Sequence, residues 1–366
     1  MGDEPPTHAE APDLAALRLL EVGDRCVFKR AMPDRTELLW TGARHWPEAG
    51  LAYRSFGPGG IAPLRQALQG GVDLVICHAP HYAPLGLRWM LRQAGQSPLA
   101  FPATLLRGSA PLFLRRPGRV PLIVLDTEDS PGIARHNFAL LDRCRLYFKR
   151  ELPADLWRAF YRTGHPLLPT PRLRRSPRWR ARIGKLRPLS LGLPLESEAL
   201  LPAAPPDKTV DLFFAGTLEA NSTVRERGRA ALSALAAEGL RVDLATERLP
   251  RAEFLARMAR AWLTWSPEGL GWDCFRHYEA AACWSVPLLN PPPLLRHAPL
   301  RAGEHCLHYE IEGDGLARAV RAALQDKPRL ARIAAAARAH VLRHHTQAAL
   351  CAHVLLSCLA PAEDSR

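Results

Sequence analysis

The chain has 366 residues, and its 49 Lys and Arg outnumber its 36 Asp and Glu, for a formal charge of +13. Hydrophobic residues make up 47% of it, which excludes an intrinsically disordered chain and supplies a proper core. No apolar run reaches the roughly 18–20 residues of a membrane span, and the eight cysteines are scattered without a CxxC pair, which argues against a disulfide framework or a thiolate metal site.

The N-terminus MGDEPPTHAEAPD is acidic and Pro-rich and lacks the basic start and apolar middle of a signal peptide. A disordered lead-in over 1–14 and a cytoplasmic protein are expected. The length suggests two domains. In the first half, apolar runs that read as strands alternate with helical pieces. The strands are Leu17–Val22, Glu37–Trp40, Val72–Pro80, Val120–Asp126 and Cys144–Lys149, with helices near Ile61–Leu68 and Leu85–Gln93. This alternation predicts a parallel sheet with helices on both faces over 15–194. In such sheets, ligands bind beyond the carboxyl ends of the strands.

Between Arg158 and Arg187 the chain carries ten Lys or Arg among several prolines. This reads as a solvated, Pro-broken surface loop. Trp179 among the arginines also allows contact with an anionic membrane surface. No helix-turn-helix, zinc-finger or RNP signature supports a nucleic-acid partner. The Pro-rich piece 195–208 reads as a linker.

The second half, 209–345, repeats the α/β alternation. Strands are expected at Val210–Thr217, Arg241–Thr246, Trp262–Trp265 and Val286–Asn290. Helices are expected at Val224–Glu238, Arg251–Ala261, Gly315–Ala323 and Lys327–His344. A last helix, Thr346–Leu359, within 346–366, is expected to pack back on the first domain. The fold class is therefore α/β, two doubly wound Rossmann-like domains facing each other across a cleft.

One stretch carries the chemistry. SPEGLG, 266–271, joins the Trp262–Trp265 strand to a helix in DCFRHYEAAACW. Gly269 and Gly271 permit close backbone approach, and Asp273 is a natural N-cap. The loop and helix N-terminus, with Phe275 at its start, present N–H groups and a positive dipole end to an anion. Arg276 in the first turn adds paired donors. Glu279 is one turn on and suits the hydroxyls of a sugar. Together they recognise a diphosphate plus a sugar. The bland alternative is a chain turn and a surface i,i+3 ion pair between Arg276 and Glu279.

The run SPEGLGWDCFRHYEAAACWSVPLL resembles the donor-site segment of glycosyltransferases with the GT-B fold. More narrowly, it resembles the exostosin-like and CgeB-like branch, with its SP-x-G-x-G-x-D-x-F-R-x-x-E-A run. DLFFAGTLEANSTVRERGRAAL resembles the first strand and helix of that nucleotide-binding domain, and LDRCRLYFKRELP the end of its acceptor domain. The resemblance spans about Val120 to His345. It implies that Arg276 meets the diphosphate and Glu279 the ribose, that Gly216 allows close approach, and that Arg225, rather than Arg227, is a second cation. Retaining members often carry two glutamates separated by seven residues, whereas ten residues separate Glu268 from Glu279, so retaining chemistry does not follow.

The implied activity is transfer of a hexose or pentose from a nucleotide sugar to a glycan, lipid-linked, peptide or small-molecule acceptor. It needs no cofactor or metal, since helix dipoles and cations offset the leaving diphosphate; no DxD motif follows a strand. His340, His344 and His345 are placed at a polar helix end rather than in a metal site. A base for the acceptor proton should stand at strand ends of the first domain. Asp126 and Asp129, expected to face the cleft, lead that choice. His81, His78 and Glu128 are further candidates, and His136 and Asn137 are candidates for acceptor binding. Two other readings remain: a non-catalytic nucleotide binder of the same fold, and a basic nucleic-acid-binding protein.

Overall fold

A computed structural model describes residues 14–42, 50–83, 86–96, 101–116, 118–161, 169–218, 222–245 and 247–360. The expected lead-in falls almost wholly outside the described residues. The first domain holds a parallel sheet of β1 (Leu19–Gly23), β2 (Thr36–Trp40), β3 (Arg54–Ser55), β4 (Leu74–His78), β5 (Leu122–Asp126), β6 (Leu146–Lys149) and β7 (Leu186–Pro188). Their spatial order is β3-β2-β1-β4-β5-β6-β7. The second domain holds β8 (Val210–Ala215), β9 (Val242–Ala245), β10 (Ala261–Trp265), β11 (Val286–Leu289) and β12 (Leu307–His308) in the order β12-β11-β10-β8-β9, again all parallel.

The central strands are apolar on both faces because both faces are covered. β1, β4 and β5 are buried at every position, as expected when crossover helices cover both sides of a parallel sheet. One face of the first sheet packs Val22, Val75, Val124 and Tyr147 against its own helices. The other face packs Leu19, Ile76, Ile123 and Phe148 against the last helix of the chain, Gln347–Leu359. That helix contributes Cys351, Val354, Leu355 and Cys358. Their spacing puts them on one helical face, so the chain finishes by crossing back onto the domain where it began.

Each sheet reverses its strand order once. β1 lies between β2 and β4, and β8 lies between β9 and β10. The crevices where ligands bind in such sheets therefore open at Gly23 and His78 in one domain and at Gly216 and Ser266 in the other.

The structure differs from expectation where the pattern is weakest. β3 and β12 span two residues each, too few to show any period. β7 lies inside the basic stretch, which is not a simple loop. Helices Pro171–Arg175 and Pro177–Gly184 precede β7, each with proline in its first turn, a position where the missing N–H costs nothing. Trp179 does not face outward. It packs against Phe138 (5.6 Å) and Phe160 (5.0 Å), with the Arg182 guanidinium 4.2 Å from its ring centroid. Arg182 in turn holds Asp142 at 2.6 Å. The indole thus packs, partly buried, against the first-domain core. No described helix is long and apolar enough to cross a membrane.

Histidines gather where the last two helices meet the loop after β11. His340 and His345 both donate from Nε2 to the Ala298 carbonyl, at 2.9 and 2.8 Å. His297 stacks on His353 with centroids 3.6 Å apart, and His353 lies edge-on to Phe148 of the first sheet. Among the described residues, no group of three or more His, Cys, Asp or Glu is arranged to hold a metal. Burial pushes His345 down to about 3, and burial with its histidine neighbours pushes His297 down to about 4. The folded state thus favours the neutral rings. Their contribution is complete above the unfolded histidine pKa of about 6.5 and is lost as pH falls toward these lower values. For the buried His345, the slope approaches about 1.4 kcal/mol per pH unit. Urea unfolding at pH 7.5, 6.0 and 5.0 should show falling stability, and replacement of His345 by Gln should flatten the fall. Equal stability at pH 7.5 and 5.0 would contradict this account of the seam.

Candidate functional site

The second-domain side of the site begins where β8 ends. Gly216 has φ +148°, and a Cβ there would lie 2.7 Å from Arg276 Nη2. Only glycine satisfies both the backbone and the approach. Arg276 sits in the first turn of the Phe275–Ala282 helix, its guanidinium 4.8 Å from the Phe214 ring centroid. Its Nε and Nη1 are buried without a hydrogen-bond partner. Burial, more than any neighbour, pushes its pKa down to about 10.

Arg225 reaches the same place from the Thr223–Ala237 helix, whose N-terminus is capped by Ser222 Oγ on the Val224 amide at 3.1 Å. Arg225 is 6% exposed. It donates from Nε to the Glu268 carbonyl (2.9 Å) and from Nη1 to the Thr217 carbonyl (3.2 Å). Its Nη2 lies against Gly269, 2.8 Å from where a Cβ would be. Arg225 is close enough to lower the pKa of Arg276 further. A desolvated pair of cations with donors left over is a site short of negative charge, and a dianion such as a diphosphate would supply it.

Glu279 lies one turn beyond Arg276 but does not pair with it. It is 2% exposed. Its Oε1 accepts from Ser197 Oγ (3.2 Å) and pairs with Arg251 Nη1 (2.9 Å). Burial raises its pKa. The surface ion-pair alternative is therefore not what the structure holds. Arg227 is on the surface with Glu312.

The loop between β10 and the helix is braced from within. Ser266 Oγ meets His277 Nδ1 at 2.7 Å, and His277 Nε2 meets the Trp272 carbonyl at 2.8 Å. A carbonyl only accepts, so Nε2 carries the proton and Nδ1 accepts from the hydroxyl. Burial pushes His277 down to about 3, which keeps this neutral tautomer. Asn290 holds Glu268 at both its amide (3.1 Å) and its carboxylate (3.0 Å).

Two expected members of this loop face another way. Asp273 is not the N-cap. Cys274 holds that position without a side-chain capping bond, and the Asp273 carboxylate accepts from the Leu191 amide (2.7 Å) and the Tyr278 hydroxyl (2.6 Å). Gly271 faces the first domain, where a Cβ would come within 2.6 Å of Glu151 Oε1. Its φ is not in the left-handed region, so the contact, not the backbone, calls for glycine. Phe275 is 43% exposed and lines a cavity of about 280 Å³ between the domains. Arg150 and Glu151, which grip this loop, carried no signal beyond their place after an apolar run.

On the first-domain side, cavities open at the carboxyl ends of the strands. One of about 470 Å³ is lined by Gly23, Gly42, His78, His81, Glu128 and Asp129. A second, about 390 Å³, shares His81 and Glu128 and adds Asn137 and Tyr161. A third, about 410 Å³, shares Asp129 and Tyr161 and reaches Glu268, Gly269 and Gly271. The shared residues make these one cleft running from the first domain to the loop after β10.

Within that cleft, His81 Nδ1 is paired with Glu128 Oε2, and the His81 side chain is 53% exposed. The other expected residues are less open. Asp126, expected to face the cleft, lines its second cavity but is 1% exposed and is held by Lys149 Nζ (3.2 Å) and Tyr147 hydroxyl (2.7 Å) from the adjacent strand. His78 is buried against Glu21 at 2.7 Å. Glu21 also accepts from the amides of Val27, Phe28 and Lys29. His136 and Asn137 both donate to the Pro80 carbonyl, at 2.8 and 3.2 Å, and so steady the loop that carries His81. Asp129 is half-exposed and pairs with Arg150 at 2.6 Å.

Replacing His277 by Phe should leave the Ser266 hydroxyl and the Trp272 carbonyl unpaired in a buried loop. A loss of about 2–4 kcal/mol in urea unfolding, with an unchanged denaturant slope, is expected. A loss under about 0.5 kcal/mol would show that the loop is held by other contacts.

Residues 225–355 match a family model described as glycosyl transferase-like. No curated protein matches the chain. Among solved structures, an alpha-glucosyltransferase in complex with UDP-glucose and DNA containing an abasic site aligns with a TM-score of 0.55 at 10% identity, covering 94% of this chain and 100% of that one. An alpha-glucosyltransferase in complex with UDP and a 13-mer DNA aligns with a TM-score of 0.53 at 10% identity, over 93% of this chain and 99% of that one. A glycosyltransferase from Rickettsia africae ESF-5 aligns with a TM-score of 0.51 at 8% identity, over 93% of this chain and 97% of that one. The chain therefore has the two-domain GT-B fold, with a glycosyl transferase-like segment over 225–355.

Proposed function

We propose that the chain is a glycosyltransferase that moves a sugar from a nucleoside-diphosphate donor to a hydroxyl held in the first-domain cleft. The observation that carries this reading is the pair Arg225 and Arg276, which converge at the strand ends beside Gly216 and Gly269, Arg276 with two buried nitrogens left unpartnered. Their charge offsets the departing diphosphate without calling for a metal. Glu279 meets the ribose hydroxyls, exchanging its contact with Arg251 for them. The acceptor oxygen attacks the anomeric carbon, the bond from that carbon to the phosphate oxygen breaks, and the electron pair leaves with the nucleoside diphosphate. His81, held by Glu128, takes the acceptor proton. Closure of the cleft excludes water and aligns the two.

Within GT-B enzymes we assign the chain to the exostosin-like and CgeB-like branch on its SPEGLGWDCFRHYEA run. UDP-glucose is the first donor to test, because structures sharing this fold contain it. A thermal-shift screen of UDP, GDP, dTDP, CDP and ADP tests the site. At a hundred times Kd, binding adds about 2.7 kcal/mol of stability. A rise in Tm with one nucleotide, lost in Arg276→Ala, is expected, and the matching nucleotide sugar should then release free nucleotide on incubation. Well-folded wild type that responds to none of the five would overturn the reading. A shift without turnover would favour a non-catalytic binder of the same fold.

A further inference from the structure

A carboxylate of the first domain is spent on the backbone of the second. Glu151 follows β6 and is 3% exposed. Its Oε2 accepts from the Trp272 amide and its Oε1 from the Asp273 amide, both at 3.0 Å and more than a hundred residues away in sequence. Its neighbour Arg150, 7% exposed, donates from Nη2 to the Asp273 carbonyl at 2.6 Å and from Nη1 to the Thr127 carbonyl at 3.1 Å. Arg150 Nη1 also pairs with Asp129, which lines both the acceptor cavity and the cavity under the donor loop.

We infer that Arg150 and Glu151 are positioning residues for transfer, fixing the donor loop of the second domain in register with the acceptor cleft of the first. This role rests on the glycosyl-transfer reading above. The geometry is specific to the charges and to the glycine. Two amides converge on one carboxylate, an arrangement that an amide side chain cannot reproduce, because its NH₂ would face an N–H. Gly271 admits that carboxylate. A methyl group there would stand 2.6 Å from Glu151 Oε1 and 3.0 Å from Arg150 Nη2. Beyond the grip, the same loop continues to Gly269 and the Glu268 carbonyl, which seat Arg225. The Gly269 amide bonds the Gly271 carbonyl at 2.9 Å and links the two ends. One short loop is therefore held at one end by the acceptor domain and at the other by a cation of the donor site. Asp129 is the acceptor-side end of the same chain of contacts.

Glu151→Gln and Gly271→Ala disturb this one contact from opposite sides with little change of volume. The probe is UDP-glucose, and the readouts are steady-state UDP release and hydrogen exchange of the Trp272 and Asp273 amides. Each variant should lower kcat by about ten- to hundredfold. KM should change by less than about threefold, because Arg276 and the helix that carries Arg225 belong to the second domain. The double variant should be no worse than the worse single, as expected when both break one interaction. The two amides should exchange faster in both variants while strand amides do not.

Folded variants with wild-type kcat would overturn the role. So would defects that appear wholly in KM, or defects that multiply in the double variant. An inactive wild type that also binds no nucleotide marks failure of the parent reading instead. An active wild type with unaffected variants marks failure of this one.

Discussion

Two guanidinium groups stand at the carboxyl ends of β8 and β10, and one of them, Arg276, has buried donors that no described residue accepts. Among the described residues, neither Arg225 nor Arg276 pairs with a carboxylate, and Nε and Nη1 of Arg276 have no hydrogen-bond partner. Burying such charges unpaired is costly, and the cost shows in the lowered pKa of Arg276. A sequence that served only to fold would place an acid beside them, as it does at Asp142 for Arg182 and at Asp126 for Lys149. Among the described residues, no acid takes that place beside Arg225 and Arg276. The nearest carboxylate along the helix, Glu279, is turned to Arg251 and Ser197.

Everything around the pair serves to hold that arrangement still. The sheets reverse strand order beside Gly216 and beside His78, so the two crevices face one cleft. His277 ties the ends of the donor loop, Asn290 ties its middle, and Glu151 ties it to the other domain. The last helix crosses back onto the first sheet. It thereby gives the two domains a second covalent path.

The sequence made the strands legible because buried parallel strands are unbroken apolar runs. VDLFFA and LIVLD show this clearly, whereas β3 and β12 are too short to show anything. Arg276 stood out because its signal is local: a strand, a glycine-bearing loop, and a cation in the next helical turn; Gly216 stood out only through the resemblance of DLFFAGT. Gly271 and Asp273 sit in the same run but answer to partners far away. Glu151 lies 121 residues from Trp272, and Leu191 lies 82 residues from Asp273. No spacing rule could expose those contacts. Asp126 lines the cleft as expected, but its pairing was hidden for a related reason. A carboxylate at a strand end reads as free until Lys149 of the adjacent strand is seen to claim it. Trp179 among arginines likewise looked exposed, and its rings turned out to fill a corner between Phe138 and Phe160.

The account stands on a diphosphate between Arg225 and Arg276, and calorimetric titration with the mono- and diphosphate of one nucleoside, uridine first, addresses it most directly. Charge-assisted hydrogen bonds contribute about 1.5–3 kcal/mol each, so UDP should bind at least about tenfold tighter than UMP. The difference should vanish when both arginines are replaced by alanine. Equal affinity for UDP and UMP, or a gap that survives the double replacement, would contradict the account.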